Sequence, residues 1–257
     1  MTLSIAIAGA AGRMGQAIAA AAGADPRFSI AGGTERAQAL GALCGFALST
    51  DAAAAAANAQ VWIDFTTPAA TLDALNALSS TPVRVAIIGT TGLTPAQEQQ
   101  VAAHATRIAI VRSGNFSLGV NLLAALVRQA AKALGPEWDI EITEAHHRRK
   151  VDAPSGTALL LGEAAAKGRG AALADVRLPA REGITGARPE GGIGFAVVRG
   201  GGIVGEHTVA FAAEREVLTL SHQALDRAVF ADGALAAAAW AAAKPPGLYS
   251  MADVLGL

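Results

Sequence analysis

Three glycines near the amino terminus, in the pattern Gly9-Ala-Ala-Gly12-Arg-Met-Gly15, constrain the fold of this chain more than any other feature. They follow a short apolar run, Leu3–Ala8, and precede an alanine-rich helical pattern that continues to Ala22. Glycines at a strand-to-helix turn let a pyrophosphate approach backbone amides at the helix N-terminus. The spacing differs from the commoner G-x-G-x-x-G, so on this pattern alone a tight turn that binds nothing is an equal alternative.

An acidic and a basic residue follow the second apolar run, 28–31. Glu35 comes 20 residues after Gly15, where a carboxylate accepts hydrogen bonds from the adenosine ribose hydroxyls. Arg36 comes next, and a guanidinium there binds the 2′-phosphate of NADP. The pair predicts NADH, NADPH or both as cofactor, and the alternative is a solvated surface ion pair.

Short β-rich runs and helical stretches alternate through the first 117 residues. Beyond the elements above, the predicted strands are 61–65, 83–88 and 108–111, and the predicted helices are 52–57, 68–77 and 95–105. Such alternation predicts a parallel sheet wrapped by helices. Two loops at strand ends, Gly89-Thr90-Thr91-Gly92 and Ser113-Gly114-Asn115-Phe116, should flank the nicotinamide, although these are also ordinary turn residues.

The pattern changes after Asn115. A long helix is predicted over 118–134, then the strands 139–145, 194–199, 206–212 and 217–221, a loop-rich region over 168–202, and a last helix over 224–243. Strands with little helix between them pair as an antiparallel or mixed sheet. We therefore predict an α/β fold. A Rossmann-like, doubly wound dinucleotide-binding domain (1–117 and 228–257) would be joined to an α+β substrate-binding and oligomerisation domain (118–227).

Composition restricts the class of protein. With 257 residues, of which 52% are hydrophobic, the chain can fill a core without crosslinks. Its single cysteine, Cys44, excludes an internal disulfide and a cysteine cluster. Because there is neither a secretory leader pattern nor an apolar run of membrane-span length, we expect a cytoplasmic protein. A net charge of −1 argues against a nucleic-acid or membrane partner.

The segment from Glu144 to Thr157 carries the predicted chemistry. It contains the cationic run His146-His147-Arg148-Arg149-Lys150 and then Ser155, a predicted helix N-cap. Amides around Gly156 and Thr157 could hold a carboxylate at the positive end of that helix. The combination predicts a small dianionic substrate and a histidine proton donor.

Explanations that involve no catalysis also exist for these residues. The cationic run could be a solvated loop. Adjacent histidines can also bind zinc, but no further cysteine or nearby histidine completes a tetrahedral set, so no metal is expected. His104 and His222 are interpreted as surface or core residues, and His207 as a support of the second sheet.

Taken together, the chain resembles the dihydrodipicolinate reductases over essentially its whole length. The segments that carry the resemblance are Gly9-Ala-Ala-Gly-Arg-Met-Gly15, Asp64-Phe65-Thr66, Gly89-Thr-Thr-Gly92, Gly114-Asn-Phe-Ser-Leu-Gly-Val-Asn121, Glu144-Ala-His-His-Arg-Arg-Lys-Val-Asp-Ala-Pro-Ser-Gly-Thr157 and Val204-Gly-Glu-His-Thr208. The resemblance implies NAD(P)H-dependent reduction of 4-hydroxy-tetrahydrodipicolinate, or of the dihydrodipicolinate formed from it, to tetrahydrodipicolinate. It places the chain in lysine and diaminopimelate biosynthesis and implies a homotetramer.

Site residues also follow from the resemblance. It implies that His146 donates a proton, that Lys150 is a second proton donor or a substrate contact, and that His147, Gly156 and Thr157 bind the substrate carboxylates. The implied cofactor-binding residues are Gly9, Ala10, Ala11, Gly12, Arg13, Met14, Glu35, Arg36, Gly89, Thr90, Thr91, Ser113, Gly114, Asn115 and Phe116. Thr67 stands where some relatives place an arginine that touches the NADP phosphate, which weakens the expectation of NADPH preference.

Two other functions are consistent with part of the sequence. A two-domain sugar dehydrogenase would share the layout, but such enzymes carry Glu-Lys-Pro at a strand end where this chain has Gly89-Thr-Thr-Gly92. A nicotinamide-sensing regulator would explain Gly9 and Glu35 but would leave His146 and Lys150 without a role. No segment resembles a basic recognition helix.

Overall fold

The structure is a computed structural model that describes residues 2–41 and 44–257; Met1, Ala42 and Leu43 lie outside the described residues. The chain divides into two compact units. The first runs to Leu118 and resumes at Ala228–Leu257, and the second is Gly119–Arg227.

The first unit contains a seven-stranded sheet in which all neighbouring strands are parallel. Its strands are β1 (Leu3–Ala8), β2 (Phe28–Thr34), β3 (Leu48–Ser49), β4 (Val61–Asp64), β5 (Val85–Ile88), β6 (Ala109–Arg112) and β11 (Gly247–Tyr249). Its helices are α1 (Arg13–Ala24), α2 (Ala52–Ala55), α3 (Pro68–Ala77), α4 (Pro95–His104), α8 (Ala228–Ala241) and α9 (Met251–Leu255). The strand order is β11-β6-β5-β4-β1-β2-β3.

Both faces of this sheet are covered. Alternate residues of β1 enter opposite clusters: Ile5 and Ile7 pack with α1 and α8, whereas Ala6 packs with Trp62 and the side of the sheet that holds α3 and α4. Every residue of β4 and β5 is buried, as expected for central parallel strands. The prediction of a Rossmann-like, doubly wound sheet is therefore confirmed.

The second unit contains a four-stranded mixed sheet in the order β10-β9-β7-β8. Its elements are α5 (Leu118–Ala133), β7 (Asp139–His146), α6 (Gly156–Gly168), α7 (Leu173–Val176), β8 (Ile193–Arg199), β9 (Gly205–Ala212) and β10 (Val217–Ala224). The β7–β8 pair is parallel, and the β7–β9 and β9–β10 pairs are antiparallel. The helices α5 and α6 pack on one face of the sheet, with Val127 and Leu161 in the core. The predicted mixed sheet is confirmed.

One predicted boundary is wrong. The last long helix was expected from residue 224, but Ala224 ends β10 and pairs with Gly205 of β9. Helix α8 begins four residues later, at Ala228. Alanine has the highest helix propensity, but propensity is a weak preference, and strand pairing overrides it at Ala224.

Candidate active site

The glycine turn between β1 and α1 has a geometry that only glycines satisfy. Gly9 has a φ of +61°, in the left-handed region. A Cβ at Gly15 would lie 2.3 Å from the Gly9 carbonyl oxygen, so α1 can approach β1 this closely only without a side chain there. Helix α1 starts at Arg13 with no side-chain cap and no acidic residue in its first turn. These residues fit a pyrophosphate, because the first-turn amides are not neutralised by the chain itself.

Glu35 supports this turn directly. Its Oε2 accepts a hydrogen bond from the Ala11 amide at 3.1 Å, and its Oε1 accepts one from the Arg36 amide at 2.9 Å. The Glu35 side chain is 9% exposed, whereas the Arg36 side chain is 89% exposed and its Nε lies 3.9 Å from the carboxylate. The carboxylate is held in place, and the guanidinium is available to a ligand.

A cavity of about 690 Å³ opens at the carboxyl ends of β1, β2 and β4. Gly9, Glu35 and Arg36 line it, as do Thr66 and Thr67. Three polar residues that the sequence did not single out also line it: Thr50, Asp51 and Asp73. Asp51 follows a two-residue strand and caps α2 by accepting the Ala53 amide at 2.8 Å, so an N-cap pattern before the alanine run is the signal that could have indicated it.

The two loops predicted near the nicotinamide meet around Phe65. A Cβ at Gly89 would lie 2.1 Å from the Phe65 ring, and this ring packs edge-to-face on Phe116 with centroids 5.3 Å apart. The Thr90 hydroxyl is buried and bonds to Thr71 Oγ1 at 2.7 Å and to Asp64 Oδ1 at 3.2 Å. Thr90 can therefore offer a ligand its backbone rather than its hydroxyl.

The remaining residues of these two regions differ in exposure. Ser113 Oγ donates to the Asn115 carbonyl oxygen at 2.6 Å, which closes the second loop. Thr91 and Gly114 are exposed, and Phe116 is buried. In the glycine turn, Gly12 and Arg13 are exposed, Met14 is half-buried and Ala10 is buried.

In the second unit, His146 ends β7 and bonds to a buried carboxylate. Its Nδ1 lies 2.6 Å from Oε2 of Glu144, whose side chain is 0% exposed. Arg199, at the end of β8, donates to both Glu144 oxygens, from Nη1 at 2.7 Å and from Nη2 at 2.8 Å. The Ser155 amide donates to Oε1 at 2.9 Å. The sequence did not indicate Arg199, because only the β7–β8 register places it beside His146.

These donors set the charge of Glu144. Burial on its own would raise the pKa of this carboxyl, but hydrogen bonds from Arg199, His146 and the Ser155 amide outweigh it and hold the pKa at about 2. Glu144 is therefore a buried carboxylate at neutral pH.

His207, interpreted from sequence as a support of the sheet, also lies beside His146. The two rings pack edge-to-face with centroids 5.1 Å apart, and His207 Nε2 lies 3.1 Å from Ser155 Oγ. Burial, followed by the proximity of His146, lowers the pKa of His207 to about 4. On the same strand, a Cβ at Gly205 would lie 3.2 Å from His146 Nε2. Gly205 thus keeps space beside that nitrogen.

The other predicted site residues of this unit surround the start of α6. Ser155 caps α6 by accepting the Ala158 amide at 3.1 Å, which confirms the predicted N-cap, and Gly156 is the first helical residue. Thr157 follows it and is half-buried. The Lys150 ammonium pairs with Asp152 at 2.9 Å.

His147 is half-buried, and its Nε2 lies 3.0 Å from Nη2 of Arg227. Because a guanidinium only donates, His147 Nε2 accepts this hydrogen bond. Burial, followed by the nearby cations Arg149 and Arg227, lowers the pKa of His147. His147 is therefore neutral. The cation beside it, Arg227, was not indicated by the sequence.

Two further findings concern the described residues only. Within 2–41 and 44–257, no three or more histidine, cysteine, aspartate or glutamate side chains are grouped to hold a metal ion. Over the same ranges, none of the helices combines the length and the hydropathy that a membrane span requires.

Comparisons with known proteins cover nearly the whole chain. Residues 3–116 match the family model described as "Dihydrodipicolinate reductase, N-terminus", and residues 119–255 match "Dihydrodipicolinate reductase, C-terminus". The 4-hydroxy-tetrahydrodipicolinate reductase of Parvibaculum lavamentivorans is 55% identical over 267 residues, covering 99% of this chain and 98% of that protein. The protein of the same name from Caulobacter vibrioides is 54% identical and covers 99% and 97%.

A solved structure has a similar fold. It is a dipicolinate-bound dihydrodipicolinate reductase from Paenisporosarcina sp. TG-14, which matches with a TM-score of 0.77 and 23% identity. The match covers 98% of this chain and 99% of that one.

Proposed function

Because the chain belongs to the dihydrodipicolinate reductase family, we propose that it reduces 4-hydroxy-tetrahydrodipicolinate, or the dihydrodipicolinate formed from it by loss of water, to tetrahydrodipicolinate. The observation that carries this proposal is the buried Glu144 carboxylate bonded to Nδ1 of His146. A module that only binds a nucleotide has no use for such a pair, whereas an enzyme that must protonate a substrate carbon does.

The nicotinamide, when bound, supplies the hydride that enters the substrate ring at C4. The glycine turn, Gly9 to Met14, would border the pyrophosphate and the first-turn amides of α1 would hold it, with Glu35 toward the ribose and Arg36 toward a 2′-phosphate. The nicotinamide ring of the cofactor would be bordered by the two loops at the ends of β5 and β6, which contain Gly89, Thr90, Thr91, Ser113, Gly114, Asn115 and Phe116.

The second unit would bind and protonate the substrate. His147, Gly156 and Thr157 would hold the two carboxylates, supported by the N-terminal end of α6. His146 would give a proton to the ring carbon beside C4. Lys150, paired with Asp152, would contact the substrate or act as a second donor.

The wider assignments are part of the same proposal. The first unit would be the dinucleotide-binding domain, and the second would bind substrate and form the contacts of a homotetramer. The protein would act in the cytoplasm, in lysine and diaminopimelate biosynthesis. Val198 on β8 and Val217 on β10 support the tetramer, because they are exposed apolar residues on the face of the second sheet opposite to the helix-covered core.

The deciding experiment measures loss of reduced-nicotinamide absorbance while a purified synthase generates the unstable substrate from pyruvate and aspartate semialdehyde. Oxidation that depends on the substrate would support the reductase function. If folded protein binds the cofactor but oxidises none of it, the proposal is wrong, and a different reductase or a nicotinamide sensor becomes the better explanation.

Cofactor choice should follow the charges around the cavity. Three carboxylates, Glu35, Asp51 and Asp73, face one guanidinium, Arg36, and Thr67 is neutral. A 2′-phosphate would meet more repulsion than attraction there, so NADH should be the better cofactor.

Replacing Arg36 with alanine should widen this preference. The dissociation constant of NADPH should rise roughly 10- to 100-fold, since a hydrogen bond to a charged group contributes about 1.5 to 3 kcal/mol, while that of NADH stays near its wild-type value. Quenching of protein fluorescence by each cofactor measures both constants. Arg27→Ala, which removes an exposed arginine paired with Asp25 outside the cavity lining, is the matched control. Equal weakening of both cofactors would refute the assignment of Arg36.

A further inference from the structure

Glu144 is bonded in a way that fixes the proton on the His146 ring. Its Oε2 accepts a hydrogen bond from Arg199 Nη1 and lies beside His146 Nδ1. Its Oε1 accepts hydrogen bonds from Arg199 Nη2 and from the Ser155 amide. A guanidinium and a backbone amide can only donate, so the carboxylate accepts from both and keeps no proton of its own. His146 Nδ1 must therefore carry a hydrogen and donate it to Glu144.

This leaves Nε2 as the nitrogen of His146 that exchanges protons. Gly205 lies beside Nε2, where a Cβ would stand 3.2 Å away, so the chain leaves space at that nitrogen. We propose that Glu144 and Arg199 are positioning residues of the proposed reductase: Glu144 orients the His146 ring so that Nε2 delivers the proton, and Arg199 holds Glu144 in place as a carboxylate. The proposal rests on the proposed function.

The proton balance is simple. With the hydride at C4 that a bound nicotinamide would supply, a C–H bond would form at the neighbouring ring carbon as the Nε2–H bond of His146 breaks. His146 is left neutral, with its Nδ1 hydrogen still bonded to Glu144, and water returns a proton to Nε2 before the next turnover.

Glu144 and Arg199 should have opposite effects on His146. The negative charge of Glu144 favours the imidazolium, whereas the positive charge of Arg199 opposes it. The other titratable groups of this cluster are His207 on β9, His222 on β10 and the ion pair of Lys150 with Asp152, whose backbone carbonyl accepts a hydrogen bond from Arg199. Glu144 is the carboxylate that bonds to the His146 ring, so it is the group that favours the proton-donating form.

The test compares Glu144→Gln with Arg199→Gln. Gln at 144 keeps an oxygen for the Nδ1 hydrogen but removes the negative charge that favours the imidazolium, so His146 should lose its proton at lower pH in this variant. The alkaline limb of the kcat profile should move the same way, because His146 must be protonated to act. Arg199→Gln should move both quantities to higher pH. NMR of the His146 Cε1 proton, in protein without substrate, measures the titration.

Glu141→Gln is the matched control, because Glu141 is also a β7 carboxylate paired with an arginine, Arg188, but points away from this cluster. Glu141→Gln should move neither the His146 titration nor the alkaline limb of the kcat profile. The proposal is overturned if Glu144→Gln leaves the His146 titration unchanged, or if both test variants shift it in the same direction. Thermal melting checks that each variant is folded, and the Glu144→Gln result decides alone if Arg199→Gln does not fold.

These outcomes separate the two proposals. The NMR titration needs no turnover, so an inactive wild-type protein would refute the reductase function without touching the positioning of His146. An active wild-type protein with an unshifted titration in Glu144→Gln would refute the positioning alone.

Discussion

Replacing His146 with glutamine should lower kcat by about 10²- to 10⁴-fold, the usual contribution of a general acid. The glutamine amide can still donate to Glu144, so the buried carboxylate keeps a partner and the fold should be retained. The reason for the loss is chemical: hydride transfer leaves a carbon that must gain a proton, and Gln cannot supply one.

The measurement is steady-state oxidation of NADH together with cofactor binding followed by fluorescence. Cofactor binding should be unchanged, since the residues assigned to the cofactor are in the other unit. Lys150→Met is the informative comparison: a rise in KM with little change in kcat would make Lys150 a substrate contact, whereas a fall in kcat would make it a second donor. Normal kcat in folded His146→Gln would remove His146 from the mechanism.

Local patterns were sufficient to predict most of the fold. The apolar runs of β1, β4 and β5, the glycine turn and the capped start of α6 each depend on residues close together in the chain, and the structure contains all of them. The short β11 and α9 were not predicted. Three residues of β11 become a strand only because β6 lies beside them.

The site was predictable in part for the same reason. His146, Lys150 and Ser155 lie in one segment whose composition indicates its chemistry. Arg199 lies outside that segment. Its partner, Glu144, is 55 positions earlier in the chain, and only the β7–β8 register brings the two side chains together. His207 reaches the cluster through the antiparallel β7–β9 pairing, which no local pattern reveals.

The burial of His207 should make stability depend on pH. Its pKa falls from an ordinary 6.5 to about 4 in the folded protein, chiefly because burial disfavours the charged ring. Between these values the unfolded chain binds a proton at this residue and the folded chain does not, so stability falls as pH falls. At one pKa unit per 1.4 kcal/mol, acidification from about pH 7.5 to about pH 4.5 should cost about 2 to 3 kcal/mol through His207 alone.

Urea unfolding of the wild type and of His207→Gln across this range isolates that contribution. The glutamine variant should be less stable than the wild type at neutral pH, because the hydrogen bond between Ser155 and His207 is lost, but the difference should shrink or reverse as the pH falls. His104→Gln, which replaces a half-buried histidine on α4, should alter the pH dependence far less, since solvent screens that ring. A constant difference between His207→Gln and the wild type would mean that His207 titrates near its ordinary pKa in the folded protein, and that its burial is not what keeps the ring beside His146 neutral.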